Sequence, residues 1–292
     1  MKLPLFALVL LTMQAAAPQQ QQPAPPRPTQ PRMTSSSPLN DSFDELLIRI
    51  ETTAAQYRSL IPSLTVDETA DTWVTPPAAP FKHHVELKST FRVVRQPNSP
   101  NLKESREITQ IDGKPYLPED RARIPMLFDG AFSGGQSLYF RPESRHCLTY
   151  IAAPGLTKDK LIQITFYAQK SVDNDPTCSA ITPGLKGGAR IEPLFLQVVH
   201  VERTIPTPIA IQRKTASFSS VDYAPADFGD LSVWLPTLII ASTPDDSRHF
   251  AARYSNYHHL TVNSTILPGT ITEPEKSEPP KPTPPPLPRL RP

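Results

Sequence analysis

The chain has 292 residues, a formal charge of +2 and 37 prolines, and only 38% of its residues are hydrophobic. So balanced a charge gives no reason to expect a nucleic-acid partner, which would call for a clustered basic surface. Dense proline and low hydrophobic content exclude a chain packed from end to end. The prolines gather at the two ends, and the middle is long enough for a real core.

Residues 1–17 read as a secretory signal. Lys2 supplies the positive start, residues 3–13 are apolar apart from Pro4 and Thr12, and Ala15, Ala16 and Ala17 offer a cut after Ala17. The apolar run is about ten residues, where a bilayer span needs about twenty. The expectation is an exported protein, periplasmic or extracellular, without a transmembrane anchor after cleavage. Residues 18–38 are rich in Gln, Pro and Ser, and residues 269–292 in Pro. Neither segment can bury enough apolar area to offset the entropy of ordering, so both read as disordered with polyproline II character. The tail has P-x-x-P spacings at Pro279 to Pro282 and Pro285 to Pro288. They fit either a ligand for an envelope protein with a proline-binding groove or a semi-rigid spacer. The spacer is the plainer reading, because such spacings arise by chance wherever proline is dense.

Residues 39–268 are left as one β-rich domain. It opens with a helix: Phe43, Leu46, Leu47, Ile50, Ala54, Tyr57 and Ile61 recur at the three-and-four spacing of one helical face. Ser42 and Glu45 fit a capping box, and Pro62 ends the run. The rhythm then changes to strands. Candidates are 64–73, 84–94, 104–111 (leading into the turn pair Asp112-Gly113), 137–140, 147–153, 161–169, 190–203, 209–218, 232–241 and 249–262. Strands at this spacing without helices between them argue for antiparallel pairing. The expected fold is α+β, mainly β: a strongly curved antiparallel sheet or incomplete barrel, with the N-terminal helix against its concave face.

Export bears on Cys147 and Cys178, the two cysteines of the chain. In an oxidising compartment a lone pair is expected to bridge, and closing a loop of about thirty residues stabilises by roughly 3–4 kcal/mol. Two buried thiols are the alternative.

The chain carries little recognisable chemistry. His83-His84 and His258-His259 are adjacent pairs whose members point to opposite faces of a strand, so neither chelates by itself. A zinc site built from both pairs is the weaker reading beside solvated histidines. Gly130-Ala131-Phe132-Ser133-Gly134 misses a nucleophile elbow by one position, and with Gly135 it lacks the Lys-Ser/Thr of a phosphate loop, so it reads as a flexible loop. His146 beside Cys147 suggests a thiolate–imidazole couple, but strand neighbours diverge. Glu104 with Glu107, and Glu119 with Asp120, read as solvated faces. Asn40-Asp41-Ser42 and Asn263-Ser264-Thr265 are glycosylation sequons, relevant only in a source that glycosylates. No catalytic residue, cofactor or metal site is assigned.

Val221-Asp222-Tyr223-Ala224-Pro225, followed by Gly229-Asp230 and Trp234-Leu235-Pro236, resembles a pattern in uncharacterised exported bacterial proteins. Tyr254-Ser255-Asn256-Tyr257-His258 with Ile266-Leu267-Pro268 is similar to their closing strand. Their β-meander, led by one helix, is in turn similar to the periplasmic lipoprotein-carrier (LolA/LolB-like) half-barrel. That family binds acyl chains in an apolar cavity under a helix, so the resemblance implies an apolar ligand or lipid here. The proline-rich ends and extra loops depart from the carriers, and no functional residue is carried over. Phe43, Leu47, Ile50 and Tyr57, on the apolar helix face, are the candidate ligand-covering residues. The competing reading is a structural or interaction module of the cell envelope, in which that face only completes the core.

Overall fold

The computed structural model describes residues 42–75, 83–96, 102–228, 231–245 and 247–260. The signal, both proline-rich segments and the two sequons lie wholly or partly outside the described residues. Helix α1 runs Phe43–Leu60 and is closed at its start as the sequence predicts. The Ser42 hydroxyl accepts from the Glu45 backbone N–H, and the Glu45 carboxylate accepts from the Ser42 N–H. Arg95 covers the other end, donating to the carbonyls of Arg58 and Ile61, which a cation at a helix C-terminus does favourably.

Among the described residues eleven strands follow: β1 Leu64–Val74, β2 His83–Arg95, β3 Leu102–Ile111, β4 Lys114–Pro115, β5 Leu148–Leu156, β6 Ile162–Ala168, β7 Lys186–Ile191, β8 Val198–Thr204, β9 Phe218–Phe228, β10 Leu231–Ser242 and β11 Arg248–His259. All pair antiparallel in one open sheet, in the order β4-β3-β2-β1-β11-β10-β9-β8-β7-β6-β5. The expected incomplete barrel is therefore observed. One meander leaves β1 towards β4; a second returns from β5 to lie beside β1. The two edges stay unjoined, and each carries a proline, Pro115 or Pro154, that cannot donate to a further strand. Register shifts in β10 after Pro236 and between β2 and β3 at Lys88/Ser89 supply the local bends that curve such a sheet.

Alternation places Val66, Ala70, Val85, Leu87, Phe91, Val93, Phe250 and Ala252 on the buried inner face. Three strand expectations need correcting. Residues 137–140 form a short helix, α2 (Gln136–Tyr139). Residues 190–203 are two strands, β7 and β8, joined by a turn. Residues 209–218 begin as helix α3 (Thr207–Arg213), with β9 starting only at Phe218. Pro208 lies in the first turn of α3, where its missing N–H costs nothing. The Asp112-Gly113 turn forms as expected, with both residues at positive φ.

Candidate functional site

The connection from β4 to β5, residues 116–147, carries the chain from one sheet edge to the other. It lies over the inner face beside α1. It makes no strand pairing with the sheet beyond β4. Its apolar residues Ala131, Phe132, Tyr139 and Phe140 are buried in the same core as α1 and the strands. Phe132 stacks on Phe91 at 5.8 Å and meets Tyr254 edge-on at 5.4 Å; Tyr139 stacks on Phe166 at 4.8 Å.

Polar groups fasten the same segment. Glu104 of β3 accepts from the backbone N–H groups of Gly130, Phe132 and Ser133 at 2.7, 3.1 and 2.6 Å. The glycine-rich stretch is thus not a loose loop; its amides wrap a carboxylate of this same chain, as anion-binding nests do. Nor is Glu104 part of a solvated face. Gly135 has φ +53°, and a Cβ there would run into the Tyr223 hydroxyl, which accepts from the Gln136 N–H at 3.2 Å. Thr72 of β1 pairs with both the carbonyl and the N–H of Met126. Tyr150 of β5 donates to the Tyr139 carbonyl.

Arg106 of β3 is the strongest of these fasteners. Its side chain is 5% exposed, its partner Glu68 is fully buried, and it also reaches Asp129 at 2.8 Å and the Phe128 carbonyl at 2.9 Å. Its guanidinium lies over the Phe91 and Phe250 rings. Burial pulls its pKa down, but the Glu68 hydrogen bond and the Glu68 and Asp129 charges outweigh that and hold it above the ordinary arginine value. It stays charged at every accessible pH. Within the same segment, Gln136 is fully buried and its side-chain amide finds no protein partner, and the Arg141 Nε is likewise unpartnered.

The four candidate ligand-covering residues are brought together on the inward face of α1. Leu47, Ile50 and Tyr57 are buried, and Phe43 packs on the core from its rim. Tyr57 donates to the Phe132 carbonyl at 3.3 Å and lies edge-on to Tyr223. Burial first, and then Tyr223, Glu104 and Tyr257, push its pKa well above the ordinary range, so it remains a donor. Between the crossing segment and β8–β10 lies a cavity of about 130 Å³, bounded by Phe128, Leu138, Val201, Arg203 and Ile239. A site for a drug-sized apolar ligand needs roughly 300 Å³ or more.

The histidine pairs are separated for good. His84 sits opposite Trp73 and His258 opposite Thr65, eight residues apart on β1, so about 26 Å at a strand's rise of ~3.3 Å per residue. They cannot share a metal. His146, in contrast, does meet sulfur. The expected strand 147–153 begins one residue later, at Leu148, and Cys147 instead ends a 3₁₀ turn over Pro142–Cys147 that also holds His146. The His146 Nε2 lies 3.6 Å from both Cys147 Sγ and Cys178 Sγ, which are joined as a disulfide. The strand assignment hid this approach.

No family model and no curated protein matches the chain. Among solved structures, it is similar to a LolA superfamily protein from Nitrosomonas europaea, at 12% identity and TM-score 0.35, covering 74% of this chain and 94% of that one. It is also similar to a putative outer membrane lipoprotein-sorting protein domain from Vibrio parahaemolyticus, at 11% identity and TM-score 0.34, covering 73% and 92%. A DUF1329 family protein from Desulfovibrio piger gives 7% identity and TM-score 0.35, covering 74% and 93%. The resemblance stated from the sequence recurs in these names, while the architecture rests on this chain's own strand pairing.

Proposed function

We propose that the chain is an exported, non-enzymatic binding protein of carrier type, whose inner face takes an acyl chain or similar apolar ligand when the crossing segment moves aside. The observation that carries this reading is how the inner face is covered. Both covering elements, α1 and residues 116–147, touch the sheet without strand pairing, so each can leave without breaking a ladder. A connection this long without a dominant element of its own is characteristically a lid or binding loop. The unpartnered Gln136 amide weakens its seat, since a buried polar group without a partner costs about 1–3 kcal/mol. Beneath lie apolar and aromatic side chains together with buried Glu68, Thr72 and Ser89 and the Arg106 guanidinium, whose contacts to Asp129 and the Phe128 carbonyl are released when the segment leaves, making room for an anionic head. Tyr57, Leu47 and Ile50 would contact the ligand from the helix, and Phe43 would sit at the mouth.

The test is titration of a delipidated sample with a fluorescent long-chain fatty acid. Binding that unlabelled fatty acids reverse, and that tightens in Glu104→Gln, supports the proposal. The variant loosens the closed form and so reduces the population penalty on binding. The small cavity favours a second reading, an interaction module with a filled core; absence of probe binding in both proteins would select it. Outside the described residues, the proline-rich tail serves either reading as a spacer or a docking segment.

A further inference from the structure

We infer that His146, Cys147, Cys178 and Asp175 form a redox-gated site for a divalent cation of zinc-like softness. The proposal is independent of the inner face. The His146 Nε2 stands 3.6 Å from each sulfur and 3.2 Å from Asp175 Oδ2. Around a tetrahedral zinc, with Zn–S of about 2.3 Å and Zn–N of about 2.0–2.1 Å, the sulfur–nitrogen edge is about 3.5 Å and the nitrogen–oxygen edge about 3.3 Å. One nitrogen therefore already sits at tetrahedral spacing from three further ligand atoms. The donor atoms of His146, Cys147 and Cys178 already lie within 4.8 Å of one another; on loading, the two sulfurs must separate to an edge of about 3.8 Å, which breaking their bond allows, and the Asp175 carboxylate must swing toward them to close the fourth position.

The surroundings suit a built site. Both cysteines are buried, which shields the thiolates, while His146 and Asp175 are partly exposed and leave a way in. Beside Asp175 opens a cavity of about 390 Å³ that also borders Asn174 and Arg213. Thr177 fixes the carboxylate: its hydroxyl and its N–H both donate to Asp175 Oδ1, which leaves Oδ2 for His146 or a cation. Such outer hydrogen bonds orient ligands at metal sites. Two thiolates, an imidazole and a carboxylate are the donor set of zinc and its neighbours, not of calcium or magnesium.

The chemistry balances with a phosphine as reductant. It attacks one sulfur, the S–S bond breaks, and water carries the phosphorus to its oxide. Sulfur is reduced to two thiols and phosphorus is oxidised. The cation then displaces the two thiol protons and binds two thiolates. While the disulfide stands, no thiolate exists and the site is shut.

The experiment uses the full chain, oxygen-free, reduced by a phosphine and titrated with cobalt(II) as probe. The expected result is one equivalent bound, with a thiolate-to-cobalt charge-transfer band and the visible bands of tetrahedral cobalt. The oxidised chain should show neither band. His146→Ala should weaken binding at least tenfold, as loss of a metal-site partner does, and Asp175→Asn less. Near-ultraviolet circular dichroism of both oxidised variants checks that they fold. Three results overturn the proposal: no tetrahedral spectrum on reduction, equal affinity in His146→Ala, or a reduced chain that unfolds and stays unfolded with cobalt present.

Discussion

The inner face of the sheet has two covers, held in opposite ways. Helix α1 is seated by a stripe of apolar residues, among them Leu47, Ile50 and Ala54, and by its capped first turn. Residues 116–147 are seated by Phe132, Tyr139 and Phe140, but also by the buried polar contacts of Glu104, Arg106 and Thr72. Apolar burial is tolerant of small shifts, whereas a carboxylate wrapped by three N–H groups requires one geometry. On the proposed reading, the helix adjusts in place while the crossing segment is either docked or away.

Substitutions break this contrast in order of size. Arg106→Ala should cost about 3–5 kcal/mol in urea unfolding, because it leaves the buried Glu68 charge without its partner. Replacing both by Met and Leu should restore most of that loss, since removing an entire buried pair is often neutral. Ile50→Ala should cost about 2–5 kcal/mol through lost burial and the cavity left behind. Glu104→Gln should cost about 1–3 kcal/mol, the range for a lost charge-assisted contact, and its effect should concentrate in residues 126–140. Ser42→Ala should cost about 1 kcal/mol, confined to α1. The smallest effect is linked to pH. Burial raises the pKa of Glu51 on α1, Arg145 partly offsets that, and Glu143 adds to it. A raised carboxylate pKa means the folded state holds its proton more tightly, so the contribution is full below the ordinary value of 4.5 and fades as pH rises through the folded value. Glu51→Gln should flatten that decline in stability between acidic and neutral pH, as followed by thermal unfolding.

The same contrast explains what could be read from the sequence. Helix α1 announces itself through local signals: Ser42 and Glu45 three apart, apolar spacing of three and four, and Pro62 beyond. Strand β2 is equally plain, because Val85, Leu87, Phe91 and Val93 alternate. The second cover has no such signature. Glu104 meets Gly130 across 26 residues, and Thr72 meets Met126 across 54. Nothing local marks a strand carboxylate as turned towards a distant loop, so it looks like a solvated one. The α3 error has the same source: Ile209 and Ile211 alternate like a strand, and only Pro208 at the helix start speaks against it. His146 was hidden by reading a 3₁₀ turn as a strand. The missing clue was Pro142, which opens that turn.

Amide hydrogen exchange under native conditions tests the central claim most directly, by comparing residues 128–140 with β1 and β11. The displaceable cover should open at a free energy well below that of the strands, and lower still in Glu104→Gln. If 128–140 and the two strands exchange only together, through global unfolding, the crossing segment is core, and the inner face is not a binding site.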